Sequence, residues 1–474
     1  MDLIGMKHAI VVDLGYGDAG KGSTVDWLCS PGHAEHTEHA DPSRPAESAG
    51  TAGTAGTADR RTASQVRAVI RFNGGAQAAH NVVTPDGRHH TFAQFGAGTF
   101  HGVPTHLSRF MLVEPFALAA EAAHLAELGI PNPFALLSAD SRALITTPYH
   151  RAANRVRESA RDRTPGSTRH GTCGMGIGET VSFSLAVSPD KPLRVGDCRD
   201  RATLVRKLTA LRDRIAADLE LSGLHLPADL PGPEFCADVY QAFAQRVRIV
   251  DEECSGYLAA LLESGPCVFE GAQGVLLDEW YGFHPHTTWS TTTFANAEEL
   301  LTESGQGPDS AVRLGVVRTY STRHGAGPFV SEDASLAPML PEPHNEAGTW
   351  QGAFRIGHFD AVAHRYALDV CGGADALVVT HADVRADGRR LCRAYQASAD
   401  VPAMERLPRS LMPDLDYQRL LTKTVTSCTP VYEDGPRDQR DWPDVIGEAL
   451  GTPVGLVSSG PTWQDKAARL PCAK

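Results

Sequence analysis

The chain has 474 residues, 42% hydrophobic and 21% charged, with a formal net charge of −13. It is longer than one minimal domain and has the composition of a globular protein. The acidic balance argues against a general nucleic-acid or membrane surface, and no run of about 18 apolar residues marks a transmembrane helix. The ten cysteines are scattered without a CxxC pair and read as reduced thiols. A cytoplasmic protein without a signal peptide is expected, and any polyanionic ligand has to be held by a local cluster.

The apolar run Ala9-Ile10-Val11-Val12 reads as a buried strand. It breaks into Gly15-Tyr16-Gly17-Asp18-Ala19-Gly20-Lys21-Gly22, and a helical segment follows with Val25, Trp27 and Leu28 on its apolar side. Strand, glycine loop and helix N-terminus aim backbone N–H groups at phosphate. Lys21 adds a point charge. The spacing Gly15-x4-Gly20-Lys21 starts a P-loop, but Gly22 stands where that motif has Ser or Thr. Asp18 lies inside the loop, and a carboxylate beside phosphates calls for a metal or for a proton to remove.

Pro31 to Ser64 is rich in small and polar residues and contains the repeat AGTAGTAGTA, so a flexible surface insertion over 31–64 is expected, with His33, His36 and His39 solvated. Arg67 to Phe72 is strand-like and leads into a polar turn, Asn73 to Asn81, where a glycine pair permits close approach to a ligand and His80 sits among amides. Phe110–Val113 reads as a strand followed by a helix to Leu128, Ala135–Leu144 as a strand, and Tyr149–Arg163 as a basic helix. A third glycine loop spans Gly171 to Gly178. Ala202–Leu221 and Glu234–Leu262 are helical by period. Cys267-Val268-Phe269 runs into Glu270-Gly271-Ala272-Gln273-Gly274, and a hydroxyl-rich stretch follows at Pro285–Thr293. Val312–Tyr320 is strand-like, 341–357 a loop, Phe359–Val370 a helix, and Ala376–Thr380 and Pro453–Val457 are strands ending at His381-Ala382-Asp383 and Ser458-Ser459-Gly460-Pro461.

Strands and helices alternate. The expected fold is α/β: a large, mainly parallel (mixed) sheet flanked by helices, with the P-loop-like glycine loop after its first strand. The loops then gather at the carboxyl edge of the sheet, where such folds bind ligands. One large domain over 1–474 is expected.

As a set, GDAGKG (17–22), RFNGGAQAAH (71–80), GTCGMGIG (171–178), EGAQGVLLD (270–278), STRHGAGPF (321–329), GHFDAVAHRYA (357–367), THAD (380–383) and SSGP (458–461) resemble the adenylosuccinate synthetase family. The stretches 31–64, 221–234 and 401–427 fall outside the likeness. The resemblance implies a GTP-dependent ligase that phosphorylates the 6-oxo group of IMP and couples it to L-aspartate. It makes Asp18 the base for the ring N1 proton, His80 the acid on the 6-oxygen side, and Gln273 the residue that orients the phosphoryl intermediate. Gly17, Gly20, Lys21 and Gly22 would hold phosphates, Asp383, Ser458 and Gly460 the guanine, and Asp18 with Ala79 a Mg²⁺ ion. Asn73, Gln77, Thr172, Cys173, Thr288, Arg323, His324, Thr349 and Arg355 would line the IMP and amine side. The family also implies a homodimer.

The chain departs from the family pattern mainly on that side. The family's aspartate loop, T-T-G-R-x-R, reads here Thr349-Trp350-Gln351-Gly352-Ala353-Phe354, with Arg355 beside the replaced positions. Cys173 stands for a threonine, His324 for an apolar residue and His381 for a lysine, and the arginine that crosses to the neighbouring subunit has no counterpart in 181–191. A paralogue that activates a different nucleotide or takes a different amine, and a catalytically inert nucleotide-binding protein, stand as alternatives; the survival of Asp18, Lys21, His80 and Gln273 speaks against the second.

Overall fold

The computed structural model describes residues 8–31, 66–163, 171–252, 256–340, 342, 350–385 and 387–469. Of the expected surface insertion only Pro31 falls among them, and Thr349 lies outside them.

Ten described strands form one sheet: β1 (His8–Asp13), β2 (Ala68–Arg71), β3 (Thr105–Leu107), β4 (Leu137–Asp140), β5 (Arg248–Val250), β6 (Cys267–Glu270), β7 (Ala311–Arg318), β8 (Ala376–Thr380), β9 (Val454–Ser458) and β10 (Lys466–Ala468). Their spatial order is β10-β9-β8-β7-β1-β6-β2-β3-β4-β5. Neighbours run parallel except at the β9–β10 edge, so the mainly parallel mixed sheet is as expected. All six residues of β1 are buried. Side chains alternate between two cores. Ile10 and Val12 pack with Ile70, Phe269, Val317 and Leu377 on one face; Val11 packs with Val69, Val268, Val316 and Val378 on the other. Covering both faces of a parallel sheet requires such continuous apolar runs.

Several elements differ from expectation. Glu234–Leu262 is not one helix: helix Pro233–Arg246 gives way to β5, and a short helix, Tyr257–Glu263, starts at left-handed Gly256. The run Arg248-Ile249-Val250 completes the sheet edge against β4, and that pairing overrides helical period. Ala135–Leu144 divides into a 3₁₀ turn at Pro133–Leu136, β4, and the short strand Leu144–Ile145. The strand expected at Phe110–Val113 shrinks to Leu112–Val113. The helix expected from Phe359 begins at Ala361, because the Asp360 carboxylate accepts the Ala363 N–H at 3.0 Å and caps it. The turn expected to run to Asn81 stops before His80, which with Asn81 opens a hairpin strand, His80–Val83, paired with His89–Phe92. The expected loop at 341–357 contains the strand Phe354–Gly357, which pairs antiparallel with Ser321–His324.

Two glycines show how the loops are stacked. A Cβ on Gly274, in the loop after β6, would lie 2.2 Å from the Gly15 carbonyl oxygen and 2.4 Å from the Gly17 nitrogen. A Cβ on Gly22, in the first turn of helix α1 (Lys21–Cys29), would lie 2.7 Å from the His80 Cβ and 3.0 Å from the His80 carbonyl carbon. The absence of Ser or Thr at 22 is therefore a packing requirement: the hairpin carrying His80 rests on the helix turn. Gly22→Ser, which restores the P-loop residue, should lower stability by about 1–3 kcal/mol through overpacking. It should also displace His80. Thermal unfolding and single-turnover phosphate release check this; an unchanged melting temperature with full activity would show that the contact is slack.

Candidate active site

The glycine loop is built around Asp13, the last residue of β1. Its carboxylate is fully buried and accepts the N–H of Gly15 (2.8 Å), Gly17 (3.4 Å) and Ala19 (2.8 Å), and its Oδ2 lies 3.2 Å from Lys21 Nζ. Removing one partner of such a buried pair costs about 3–5 kcal/mol. The Thr380 hydroxyl donates to the Ala19 carbonyl at 2.7 Å and ties the loop to the end of β8.

Among the described non-glycine residues, three take positive φ: Asp18 (60°), Gln273 (65°) and His381 (57°). All three line one cavity of about 1470 Å³ at the carboxyl edge of the sheet. Strained backbone held by surrounding structure clusters at functional sites. The Asp18 carboxylate lies 3.4 Å from His324 Nε2. Burial pushes its carboxyl above the ordinary range, against the opposing pull of His324, Lys21 and Arg318.

His80 and Glu270 form a buried pair. His80 Nδ1 lies 2.6 Å from Glu270 Oε1, and Glu270 Oε2 accepts the Ala97 N–H at 3.0 Å. Burial lowers the His80 pKa to about 4, although Glu270 opposes this. Burial works against the Glu270 carboxylate too, yet Arg71, His80 and the Ala97 N–H outweigh it and hold its pKa below the ordinary value. A neutral imidazole beside an ionised carboxylate donates Nδ1–H to it. That leaves the Nε2 lone pair of His80 buried and without a partner among the described residues, in a residue that lines the cavity.

Most of the residues expected from sequence meet in this cavity. Gly17, Asp18 and Gly20 come from the first loop and Lys21 and Gly22 from the first turn of α1; Gln77 and Ala79 come from the turn after β2, and His80 from the hairpin strand that follows it. Thr172, Cys173, Gln273 and Thr288 form another part of the wall, with Arg323 and His324; Asp383, Ser458 and Gly460 line it at the ends of β8 and β9. Gln77 has both amide atoms buried without a hydrogen-bond partner among the described residues.

Three expectations change on inspection. Asn73 is not part of the cavity wall: its amide accepts the Ala272 N–H (2.7 Å) and donates to the Ala272 carbonyl (3.0 Å), stapling two loops together. Arg355 is also absent from the wall; it donates to the carbonyls of Gly325 (3.0 Å) and Gly327 (2.9 Å) and pairs with Glu332. Arg323 reaches the wall, but its guanidinium donates to Ala326 (2.8 Å) and Pro328 (3.0 Å) carbonyls and lies over the Tyr16 ring. Both arginines brace the 325–328 turn. The cavity-lining arginines of the helix Pro148–Arg163 are Arg157, paired with Glu179 at 2.6 Å, and Arg161, paired with Glu158.

Sequence reasoning passed over Asp13, the Glu270 partnership and Arg318. Each is a charged residue closing an apolar strand at the same sheet edge, and that position is the signal that would have found them.

The adenylosuccinate synthetase family model matches residues 58–467. An adenylosuccinate synthetase of Alkalilimnicola ehrlichii is 30% identical over 468 residues, covering 96% of each chain. One from Pseudomonas putida is 30% identical over 469 residues, again with 96% of each chain covered. The fully ligated adenylosuccinate synthetase structure from Plasmodium falciparum superposes with a TM-score of 0.76 over 98% of this chain and 99% of that one, at 20% identity, and so shares the fold. With the family model spanning most of its length, the chain belongs to the adenylosuccinate synthetase family of purine-biosynthetic ligases.

Proposed function

We propose that this protein joins IMP to L-aspartate at the expense of GTP, releasing adenylosuccinate, GDP and phosphate, and that Asp18, His80, Lys21 and Gln273 carry the chemistry. The observation behind the assignment of residues is their convergence on one cavity, with strained backbone at Asp18 and Gln273. The purine 6-oxygen is a poor leaving group, so the 6-oxo group first attacks the GTP γ-phosphate while Asp18 takes the N1 proton. A base must be deprotonated yet basic, and the raised Asp18 pKa suits that task. The aspartate amine then adds at C6, and phosphate departs with the former 6-oxygen.

Glu270 fixes the tautomer of His80, so Nε2 faces the reacting oxygen as a hydrogen-bond acceptor at rest. Phosphate charge brought in by the nucleotides favours the imidazolium, and Nε2–H then donates to the oxygen as negative charge builds there. Lys21 and the N–H groups of the loop hold the GTP phosphates, and Asp383, Ser458 and Gly460 receive the guanine. Gln77, whose amide has no partner among the described residues, and Thr288 take the IMP phosphate; Thr172, Cys173 and His324 complete that wall.

Asp18 is a hard oxygen donor exposed to the cavity, and Ala79 lies on the same wall. That sparse set fits Mg²⁺, which takes one or two carboxylates and fills its remaining positions with phosphate and water. When bound, the ion neutralises phosphate charge. A homodimer fits the exposed apolar side chains of Leu185, Trp280 and Trp289 at the cavity lip, and a cytoplasmic location fits the eight unpaired cysteines among the described residues.

Phosphate release from GTP with IMP and aspartate tests the reaction; release with neither IMP nor aspartate required would overturn it. Asp18→Asn should reduce kcat by at least about 100-fold. Because the base must be ionised, kcat/KM should rise with pH, and its acid limb should lie above the ordinary carboxylate range near pH 4. Glu270→Gln, which spoils the tautomer, should lower kcat by about 100-fold or more while leaving the KM for GTP within a few-fold.

A further inference from the structure

A nucleotide that runs from the ends of β9 and β8 to the glycine loop after β1 has to cross the end of β7, the strand between β8 and β1. The residue there is Arg318, paired in register with Thr380 of β8 and lining the cavity. Its side chain is 4% exposed. Nη2 lies 2.8 Å from His381 Nε2 and donates to Glu342 at 3.0 Å, and Nη1 lies 2.8 Å from the same carboxylate. Nε is buried and donates to nothing among the described residues. The Tyr320 hydroxyl also donates to Glu342, which lines the cavity too. A buried guanidinium on the path from base pocket to phosphate loop thus holds a carboxylate where a polyanion would lie.

We propose that Arg318 is a polyphosphate-binding residue of the nucleotide site, and that Glu342 is its resident counter-ion, exchanged for phosphate oxygens when the triphosphate binds. The guanidinium fork accepts a carboxylate or a phosphate in the same bidentate geometry. Glu342 keeps the buried cation paired in the empty site, where an unpaired charge would be costly. The same carboxylate competes with the triphosphate, so affinity is set by the exchange rather than by Arg318 alone. This inference rests on the reading of the cavity as a nucleoside triphosphate site.

Calorimetric titration of wild type, Arg318→Gln and Glu342→Gln with GTP, inorganic tripolyphosphate and guanosine tests it. Arg318→Gln should bind GTP and tripolyphosphate about tenfold more weakly, as expected for loss of a charge-assisted hydrogen bond. Glu342→Gln should bind both more tightly by several-fold, and guanosine affinity should stay the same in both variants. An Arg318→Gln variant that loses guanosine affinity in equal measure has a general structural defect, and that result overturns the assignment. So does tripolyphosphate affinity unchanged in Glu342→Gln, which decides the matter even where Arg318→Gln does not fold. Failure of the wild type to bind either GTP or tripolyphosphate would instead overturn the triphosphate site itself.

Discussion

The structure depends on one buried anion. The Asp13 carboxylate sits at the end of the central strand with no solvent contact and collects three backbone N–H groups and the Lys21 ammonium. A buried carboxylate left with fewer donors would be expensive, and a glycine loop without an internal acceptor would have no single path. Each requirement meets the other. The inward N–H groups of Gly15, Gly17 and Ala19 are satisfied, and the side chain of Asp18 is turned outward at φ 60° into the cavity. Lys21 is held at the base of the loop rather than left to swing, so its charge reaches the cavity from a fixed point.

The remaining loops are registered against this one. The EGAQG loop lies so close to Gly15 and Gly17 that position 274 has no room for a side chain, and Asn73 ties the same loop to the turn before His80. Asp18, Gln273 and His80 are therefore positioned by backbone contacts among three loops. Loop geometry of this kind is maintained by packing, and the strained φ values of Asp18 and Gln273 persist because those contacts over-determine them.

Much of this was legible in the sequence. Apolar runs that end in glycine mark parallel strands with ligand loops, and most of the site residues named from the motifs do line the cavity. What stayed hidden was the partner of each side chain. The family resemblance put Arg323 and Arg355 on the IMP and amine side, but three-dimensional proximity commits them to carbonyls of the turn itself. Asn73 shares its motif with Gln77, yet one amide is spent on Ala272 while the other has no partner among the described residues. Helical period over 234–262 gave no hint of β5, because an edge strand of three residues is defined by its neighbour rather than by its own pattern.

The contact between Gly22 and the hairpin makes position 22 a hostage of the backbone at 80 and 81. Any side chain at 22, the hydroxyl of a P-loop included, would meet the His80 Cβ and carbonyl carbon and the Asn81 carbonyl oxygen, so it cannot enter without moving the hairpin backbone. Drift from this loop to a P-loop would have to shift the hairpin backbone first, since replacing the histidine leaves the carbonyl groups of residues 80 and 81 where they are. The glycine is in this sense a ratchet: once the hairpin has settled on α1, single substitutions no longer lead back to the more widespread phosphate loop.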